Sequence, residues 1–413
     1  MYCLKHMHKD KENAMNKNVS FLDSNGDIEA PLIVFKGADI ITVTQVLRGY
    51  VLGSEDGKFT LLEPEEQFEE RSDLKDVRVI DARGLIIAPG LIDVHIHGSG
   101  GRDTMEGTID ALNTISSTIV KNGVTSFLAT TMTMEREMVD AALTQIREAV
   151  KRGMRGAQLL GAHMEGPFIN PKYKGAQAAD NIKLPSWEWI EPFKDVIKLV
   201  TIAPEQPGAK ELAGRLKENN IVASMGHTAA TYEEAMEGIK AGISHTTHLF
   251  NAMSGVHHRN PGTVVAALAS DVYCELIADT IHVHPGLFET VRKAKGADRI
   301  TLITDCMEAG GMPDGNYTLG GQPVIVNGNE ARLTDGTLAG SVLRLNRGLY
   351  NFYKNTGAEL HEVFNMASIN PAKELRINNR KGSIKLGKDA DFILIDENFD
   401  VKATYIRGAC VYR

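Results

Sequence analysis

The sequence predicts an α/β protein: a (β/α)8 TIM-type barrel with a small β-sandwich-like domain formed by both chain ends. Three observations predict it. From residue 85 onward, eight short apolar runs alternate with amphipathic stretches of helical length. Both flanks instead show short alternating runs broken by Gly and Asp. No G-x-G-x-x-G follows the first run, which weakens the nucleotide-binding form of the rival open doubly wound sheet.

Taken in order, residues 1–30 are charged and carry no apolar h-region, so they read as a polar extension and not as a signal peptide. Residues 31–84 read as small antiparallel strands, the first part of the β-domain, with the acidic stretch 63–73 as a solvated hairpin loop. Residues 85–379 read as the catalytic barrel. Its runs are 85–97, 125–131, 158–166, 197–205, 221–228, 243–250, 274–283 and 300–306. Near-continuous apolar runs rich in Val, Ile and Thr fit strands buried on both faces.

Between the runs, residues 134–153 place Met138, Val139, Ala142, Leu143, Ile146 and Val150 at helical spacing. Residues 208–219 do the same with Ala209, Leu212 and Leu216. Gly123, Gly153, Gly242 and Gly296 sit where helix C-caps belong. Residues 380–413 read as the second part of the β-domain.

Composition narrows the function. The 413 residues are 43% hydrophobic and 24% charged, which excludes wholesale disorder and collagen. A formal net charge of −8 gives no global field for nucleic acid or anionic lipid. An anionic small ligand then requires a local basic pocket. No run of 18 apolar residues appears, so no membrane span is expected. The cysteines Cys3, Cys274, Cys306 and Cys410 share no C-x-x-C spacing, and a reducing cytoplasm is the economical reading.

In a barrel, chemistry collects where strands end and βα-loops begin. The first run ends in His95-Ile96-His97, the third in Glu165, the fifth in His227, the sixth in His248 and the eighth in Asp305. His95 and His97, two apart in a strand, face the same side. Each residue alone reads more readily as structural; the joint pattern reads as a metal site. Three or more imidazoles with a carboxylate and no thiolate make a catalytic set. Zn suits it first, with Fe, Mn or Co open, as one or two ions per subunit. Asp305 fits the proton carrier beside a water activated by such an ion, or else a further ligand or an N-cap.

Other conspicuous residues carry a plainer reading. His163 reads as a packing residue supporting Glu165. His245, three before His248, faces the opposite side of a strand. Cys306 reads as buried, Trp187 and Trp189 as core, and His257 and His258 as loop residues.

At this point the chain resembles a known family. APGLIDVHIHG (88–98) resembles the first-strand signature of the amidohydrolase superfamily, and KGSIKLGKDADFILID (381–396) its C-terminal β-domain signature. Within that superfamily, GAHMEGPFINPKYKGAQ (161–177), SMGHTAATYEEA (224–235), THLFNAM (247–253), RNPG (259–262), ADTIHV (278–283), TDCMEAGG (304–311) and LAGS (338–341) are similar to the N-acetylglucosamine-6-phosphate deacetylases. The resemblance runs in order from about residue 31 to the C-terminus.

It implies a metal-dependent hydrolase of a linear amide, the acetamide of N-acetylglucosamine 6-phosphate, in amino-sugar catabolism. It implies Glu165, His227 and His248 as ligands of the main ion, His95 and His97 as a second-ion pair, and Asp305 as the catalytic acid/base. It implies Asn251, Ala252, Arg259 and His282 as sugar-phosphate contacts. Ala176 and the loop of Leu338, Ala339 and Gly340 match the acetamide and sugar pocket. Some members carry His at the position of Gln177, where an uncharged donor leaves carbonyl polarisation more to the metal. A homodimer follows, with Arg259 a candidate to reach the neighbouring site.

Three alternatives remain open from sequence. One is the epimeric N-acetylgalactosamine 6-phosphate as substrate. Another is a different metal-dependent amidohydrolase, such as a dihydroorotase-like enzyme, which needs a fourth-strand Lys that 197–205 lacks at its end. The third is an inactive barrel scaffold.

Overall fold

The computed structural model describes residues 32–74 and 77–413. The extension read over 1–30, with Cys3, lies outside the described residues.

The N-terminal strands are β1 (Ile33–Lys36), β2 (Asp39–Ile41), β3 (Val46–Leu47), β4 (Tyr50–Glu55), β5 (Lys58–Pro64) and β6 (Arg78–Asp81). The apolar run over 85–97 is two strands in two different sheets: β7 (Ile86–Pro89) and β8 (Leu91–Ile96). One sheet has the order β5-β4-β1-β6. The other joins β7, β2 and β3 to three C-terminal strands, β21 (Phe392–Ile395), β22 (Val401–Ile406) and β23 (Ala409–Tyr412), in the order β23-β22-β21-β7-β2-β3. The sheets meet through aromatic rings: Phe35 of β1 lies edge-on to Phe392 and Tyr405 at 5.0 and 5.1 Å. Pairing is mixed, with β1·β6 and β2·β7 parallel. The expected hairpin loop over 63–73 is instead the end of β5 followed by a short helix, Glu65–Glu69. Lys36 holds it by pairing with Glu65 and Glu69, which neutralises part of the acidic run.

The eight-stranded sheet is parallel throughout: β8, β11 (Val124–Thr131), β12 (Gln158–Glu165), β13 (Ile197–Ile202), β14 (Val222–Met225), β15 (His245–Thr246), β16 (Tyr273–Ile277) and β17 (Ile300–Ile303). Asp305 N donates to His95 O and His97 N to Cys306 O, each at 2.9 Å, so the strand ends of β17 and β8 close the ring. This is a (β/α)8 barrel. The run read over 274–283 is strand only to Ile277, and the rest is loop.

Helix Arg136–Arg152 buries Val139, Ala142, Leu143, Ile146 and Ala149. Met138 and Val150, expected on that face, are 41% and 40% exposed, because they flank the apolar stripe. Helix Ala209–Glu218 buries Ala209, Leu212 and Leu216 as read. Two insertions were not legible as elements. A ribbon of β9 (Gly98–Ser99) and β10 (Arg102–Asp103) follows β8. A three-stranded sheet, β18 (Gly315–Leu319), β19 (Gln322–Asn327) and β20 (Glu330–Leu333), buries Leu319, Val324, Val326 and Leu333 against Met132 and Met307.

Among the described residues no helix is long and apolar enough to cross a membrane. Among the described residues Cys274, Cys306 and Cys410 form no disulfide; the first two are buried and the third is exposed. Trp187 and Trp189 are buried in the main core, with Trp189 Nε1 donating to Asp140 at 2.7 Å.

Candidate metal and active site

The residues at the strand ends converge. Glu165 ends β12, His95 lies on β8 with His97 just beyond it, and His227, His248 and Asp305 follow β14, β15 and β17. All six are buried. His227 Nε2 and His248 Nε2 each stand 3.1 Å from Glu165 Oε1 and 3.1 Å from each other. His97 Nε2 lies 3.2 Å from Glu165 Oε2 and 3.2 Å from Asp305 Oδ1. His95 Nε2 lies 3.5 Å from Glu165 Oε1 and 3.4 Å from Asp305 Oδ1. Glu165 therefore turns one oxygen toward His227 and His248 and the other toward His97.

The donor set fits a divalent ion. Ligands about 2.0–2.1 Å from a tetrahedral metal stand ~3.3 Å apart, close to the sides of the Glu165–His227–His248 triangle. His95 Nε2 is buried and has no hydrogen-bond partner among the described residues, an orphan that an ion would satisfy. His95–His97–Glu165 and Glu165–His227–His248 each bring three ligand atoms within 4.8 Å of one another.

Electrostatics agree. Burial opposes charge on His95, but the carboxylates of Glu275, Asp305 and Glu165 hold its pKa well above the usual imidazole value. For His97, Asp305 and Glu165 outweigh burial and raise it to about 9. Burial raises Glu165, yet His95, His227 and His248 pull it well below the ordinary range. Burial also raises Asp305, and His95 and His97 more than reverse that, leaving it ionised. Without an ion, protons occupy the places where positive charge is wanted.

The side chains of the cluster are held from behind. His227 Nδ1 donates to Tyr173 O at 2.9 Å, and a carbonyl can only accept, so Nε2 is left for the site. His227, His248 and Asp305 have φ of 49°, 31° and 51°. Left-handed backbone costs a non-Gly residue about 1–2 kcal/mol, so three bends at three strand ends store strain where the side chains must turn inward. Glu205 pins the first bend, accepting from Thr228 Oγ1 at 2.5 Å, Ala229 N at 2.7 Å and Asn170 Nδ2 at 2.9 Å. Gln177 donates through Nε2 to Glu165 Oε2 at 2.7 Å and accepts from Thr133 N at 2.7 Å. Its amide orients the Glu165 carboxylate and does not stand free for a substrate carbonyl.

The cluster floors a cavity of about 490 Å³, within the usual range for a small-ligand site. Ala176, Gln177, Asn251, Ala252, His282, Leu338 and Gly340 line it, as do Lys172, Tyr173 and Arg332. His282 Nδ1 lies 2.6 Å from Asp279 Oδ2; burial opposes its charge, but Asp279 raises its pKa. Two expected contacts do not line the cavity in this chain. Arg259 is exposed on a loop, with its guanidinium 2.7 Å from His258 Nε2. Ala339 is fully buried, its N–H bonded to Ala331 O, so only its neighbours face the cavity.

His163 is buried, with Nε2 2.8 Å from Thr201 Oγ1 and its ring edge-on to His95 at 4.5 Å. His245 departs from the expected opposite face. Its ring bonds Ser224 Oγ at 2.9 Å and lies 3.4 Å from Glu374 and 3.8 Å from Glu275, inside the barrel. The reason is that β15 ends at Thr246, so strand alternation does not carry through to His248. Burial raises the Cys306 thiol, which makes it inert.

Sequence reasoning missed Glu275, Glu205, Lys172, Arg332 and Asp93, the last buried on β8 and accepting from Thr304 Oγ1 at 2.6 Å beside Asp305. For two of these a signal existed. Glu275 and Asp93 are carboxylates inside apolar strand runs, and a buried charge needs partners.

Comparison with known proteins places the chain. It is 42% identical over 387 residues to N-acetylglucosamine-6-phosphate deacetylase of Bacillus subtilis, covering 92% of this chain and 97% of that one. It is 36% identical to N-acetylgalactosamine-6-phosphate deacetylase of Escherichia coli O157:H7, over 80% of this chain and 89% of the relative. The crystal structure of N-acetylglucosamine-6-phosphate deacetylase from Pasteurella multocida superposes with a TM-score of 0.87 at 31% identity, covering 92% of this chain and 99% of that one. With the match to the amidohydrolase family extending over residues 86–411, and the buried His and Glu cluster at its centre, the chain belongs to that family.

Proposed function

We propose that this protein hydrolyses the acetamide of N-acetylglucosamine 6-phosphate to glucosamine 6-phosphate and acetate. The observation that carries the reading is the convergence of Glu165, His227, His248, His97 and Asp305 at the floor of one cavity, with His95 Nε2 3.5 Å from Glu165 and 3.4 Å from Asp305. Glu165, His227 and His248 would hold one divalent ion and His95 with His97 a second; Zn suits this thiolate-free set, with Fe, Mn or Co compatible. Such an ion supplies Lewis acidity and lowers the pKa of water from 15.7 toward ~7.

The chain's own residues do the rest. Asp305, held ionised by His95 and His97, takes a proton from the attacking water. As the water oxygen bonds the acetyl carbon and the C–N bond breaks, Asp305 returns that proton to the leaving sugar nitrogen. Gln177 keeps Glu165 from rotating. Asn251, Ala252 and His282 are the proposed sugar-phosphate contacts, with Ala176, Leu338 and Gly340 around the acetamide and sugar. Arg259 offers a bidentate fork to a phosphate, and from its exposed loop we assign it to the neighbouring site of a homodimer. We take 31–84 with 380–413 as a small β-domain beside the catalytic barrel, its second sheet completed by β7 from the start of the segment read as barrel, and the cytoplasm as the compartment.

The test is acetate release from N-acetylglucosamine 6-phosphate, with metal content measured on the same sample. No release above the uncatalysed rate from stoichiometrically loaded protein would overturn the reading. The relative of Escherichia coli favours a second reading, the galacto epimer, and a higher kcat/KM on that substrate would select it.

A further inference from the structure

Glu275 is a carboxylate with no exposed surface in the middle of β16. A buried charge is costly unless its oxygens are occupied. Oxygen Oε2 accepts from His95 Nδ1 at 2.9 Å and from the backbone N–H of His248 at 3.0 Å. β17 separates β16 from β8 in the sheet, so the first contact crosses the barrel interior.

We propose that Glu275 is the positioning residue that ties the two candidate ion subsites together. It fixes the ring of His95 on the first barrel strand and the main chain of His248 after the sixth, through a single oxygen. With His95 Nδ1 donating to this carboxylate, Nε2 is the nitrogen left to face Glu165 and Asp305. At His248 the same oxygen secures a backbone bent to a φ of 31°, the bend that turns its Nε2 toward Glu165. Among the described residues the other oxygen has no hydrogen-bond partner, and it faces His245 at 3.8 Å. The proposal rests on the metal reading above, and its test separates the two.

The test uses the full chain, stripped with a chelator and titrated with Zn²⁺ against a chromophoric competitor. The variants are Glu275→Gln and Glu275→Leu, with the melting temperature of each metal-free form and the ¹⁵N-resolved Nδ1 proton of His95 as further readouts. Losing a carboxylate behind a ligating His typically costs 10–100-fold in metal affinity, and that loss is expected for Glu275→Gln, whose amide oxygen can still accept from His95 and His248, so that metal-free melting stays near wild type, but no longer raises the basicity of His95. Glu275→Leu is expected to lose the Nδ1 proton resonance as well; if it does not fold, Glu275→Gln decides. Zn²⁺ binding by Glu275→Gln within about twofold of wild type would overturn the proposal. So would a loss of affinity matched by early melting of the metal-free variant, which marks a purely structural role. Wild-type protein that binds no Zn²⁺ would overturn the metal reading itself.

Discussion

Gln177 Nε2 stands 2.7 Å from Glu165 Oε2, while His227 and His248 approach the other oxygen of the same carboxylate. The amide and the two imidazoles thus grip Glu165 from both sides. Gln177→Ala is expected to weaken Zn²⁺ binding by ~10–100-fold, because an unrestrained carboxylate must be ordered when the ion binds. It also orphans the Thr133 amide, costing about 1–3 kcal/mol in stability. Competition titration and denaturant unfolding check the two effects. Unchanged Zn²⁺ affinity would mean that the grip has no function.

Glu165→Ala and His227→Ala each remove one corner of the 3.1 Å triangle. Both are expected to lose the bound metal, read by elemental analysis of purified protein. Stoichiometric metal in either variant would show the ligand assignment to be wrong.

Asp305→Asn keeps the shape of the side chain and removes its basicity. Metal content should stay near wild type while kcat falls by more than ~10²-fold. Turnover equal to wild type would take Asp305 out of the mechanism.

Arg259→Ala should weaken the phosphorylated substrate far more than its unphosphorylated analogue, although the residue does not line the cavity of its own chain. Comparison of kcat/KM on the two substrates decides this. An equal loss on both would put the phosphate elsewhere, with Lys172 and Arg332 the cations next to be replaced.

Burial pushes the pKa of His245 down to about 4, against an ordinary value of 6.5. Between those values the unfolded chain binds the proton and the folded one does not, so stability is lost as pH falls from 6.5 toward 4. The loss is on the order of 3 kcal/mol once pH is below both values. Glu374, raised by burial, titrates with the opposite sign, so the comparison must isolate His245. Urea unfolding of the metal-stripped protein at about pH 7 and about pH 4.5 should show a smaller drop for His245→Asn than for wild type. Identical drops would mean that His245 is charged inside the barrel.

The barrel was legible because its strands are buried on both faces and read as apolar runs, and because five of them end in His, Glu or Asp. The weak points have local causes. Only His245 and Thr246 of the run over 243–250 form strand, so periodicity misplaced His245. The sheet of β18, β19 and β20 escaped because its strands alternate buried residues with polar, exposed ones such as Asn316, Thr318 and Asn327 and so do not read as apolar runs. What Gln177 and Glu275 support could not be read, since their roles depend on contacts across 12 and 180 residues that no spacing rule encodes; Glu275 signalled only that a carboxylate in an apolar run needs partners.

The sheet ordered β23-β22-β21-β7-β2-β3 also sets a timetable for the nascent chain. β7 is made about 300 residues before its partner β21. At 5–20 residues per second, that leaves β7 and β2 waiting for roughly 15–60 s on the ribosome. Through that interval Ile40 and Ile87, fully buried once the chain is complete, sit beside an unpaired strand edge open to other chains. Removing β21 to β23 would make that wait permanent, and the expected outcome is aggregation of an otherwise intact barrel.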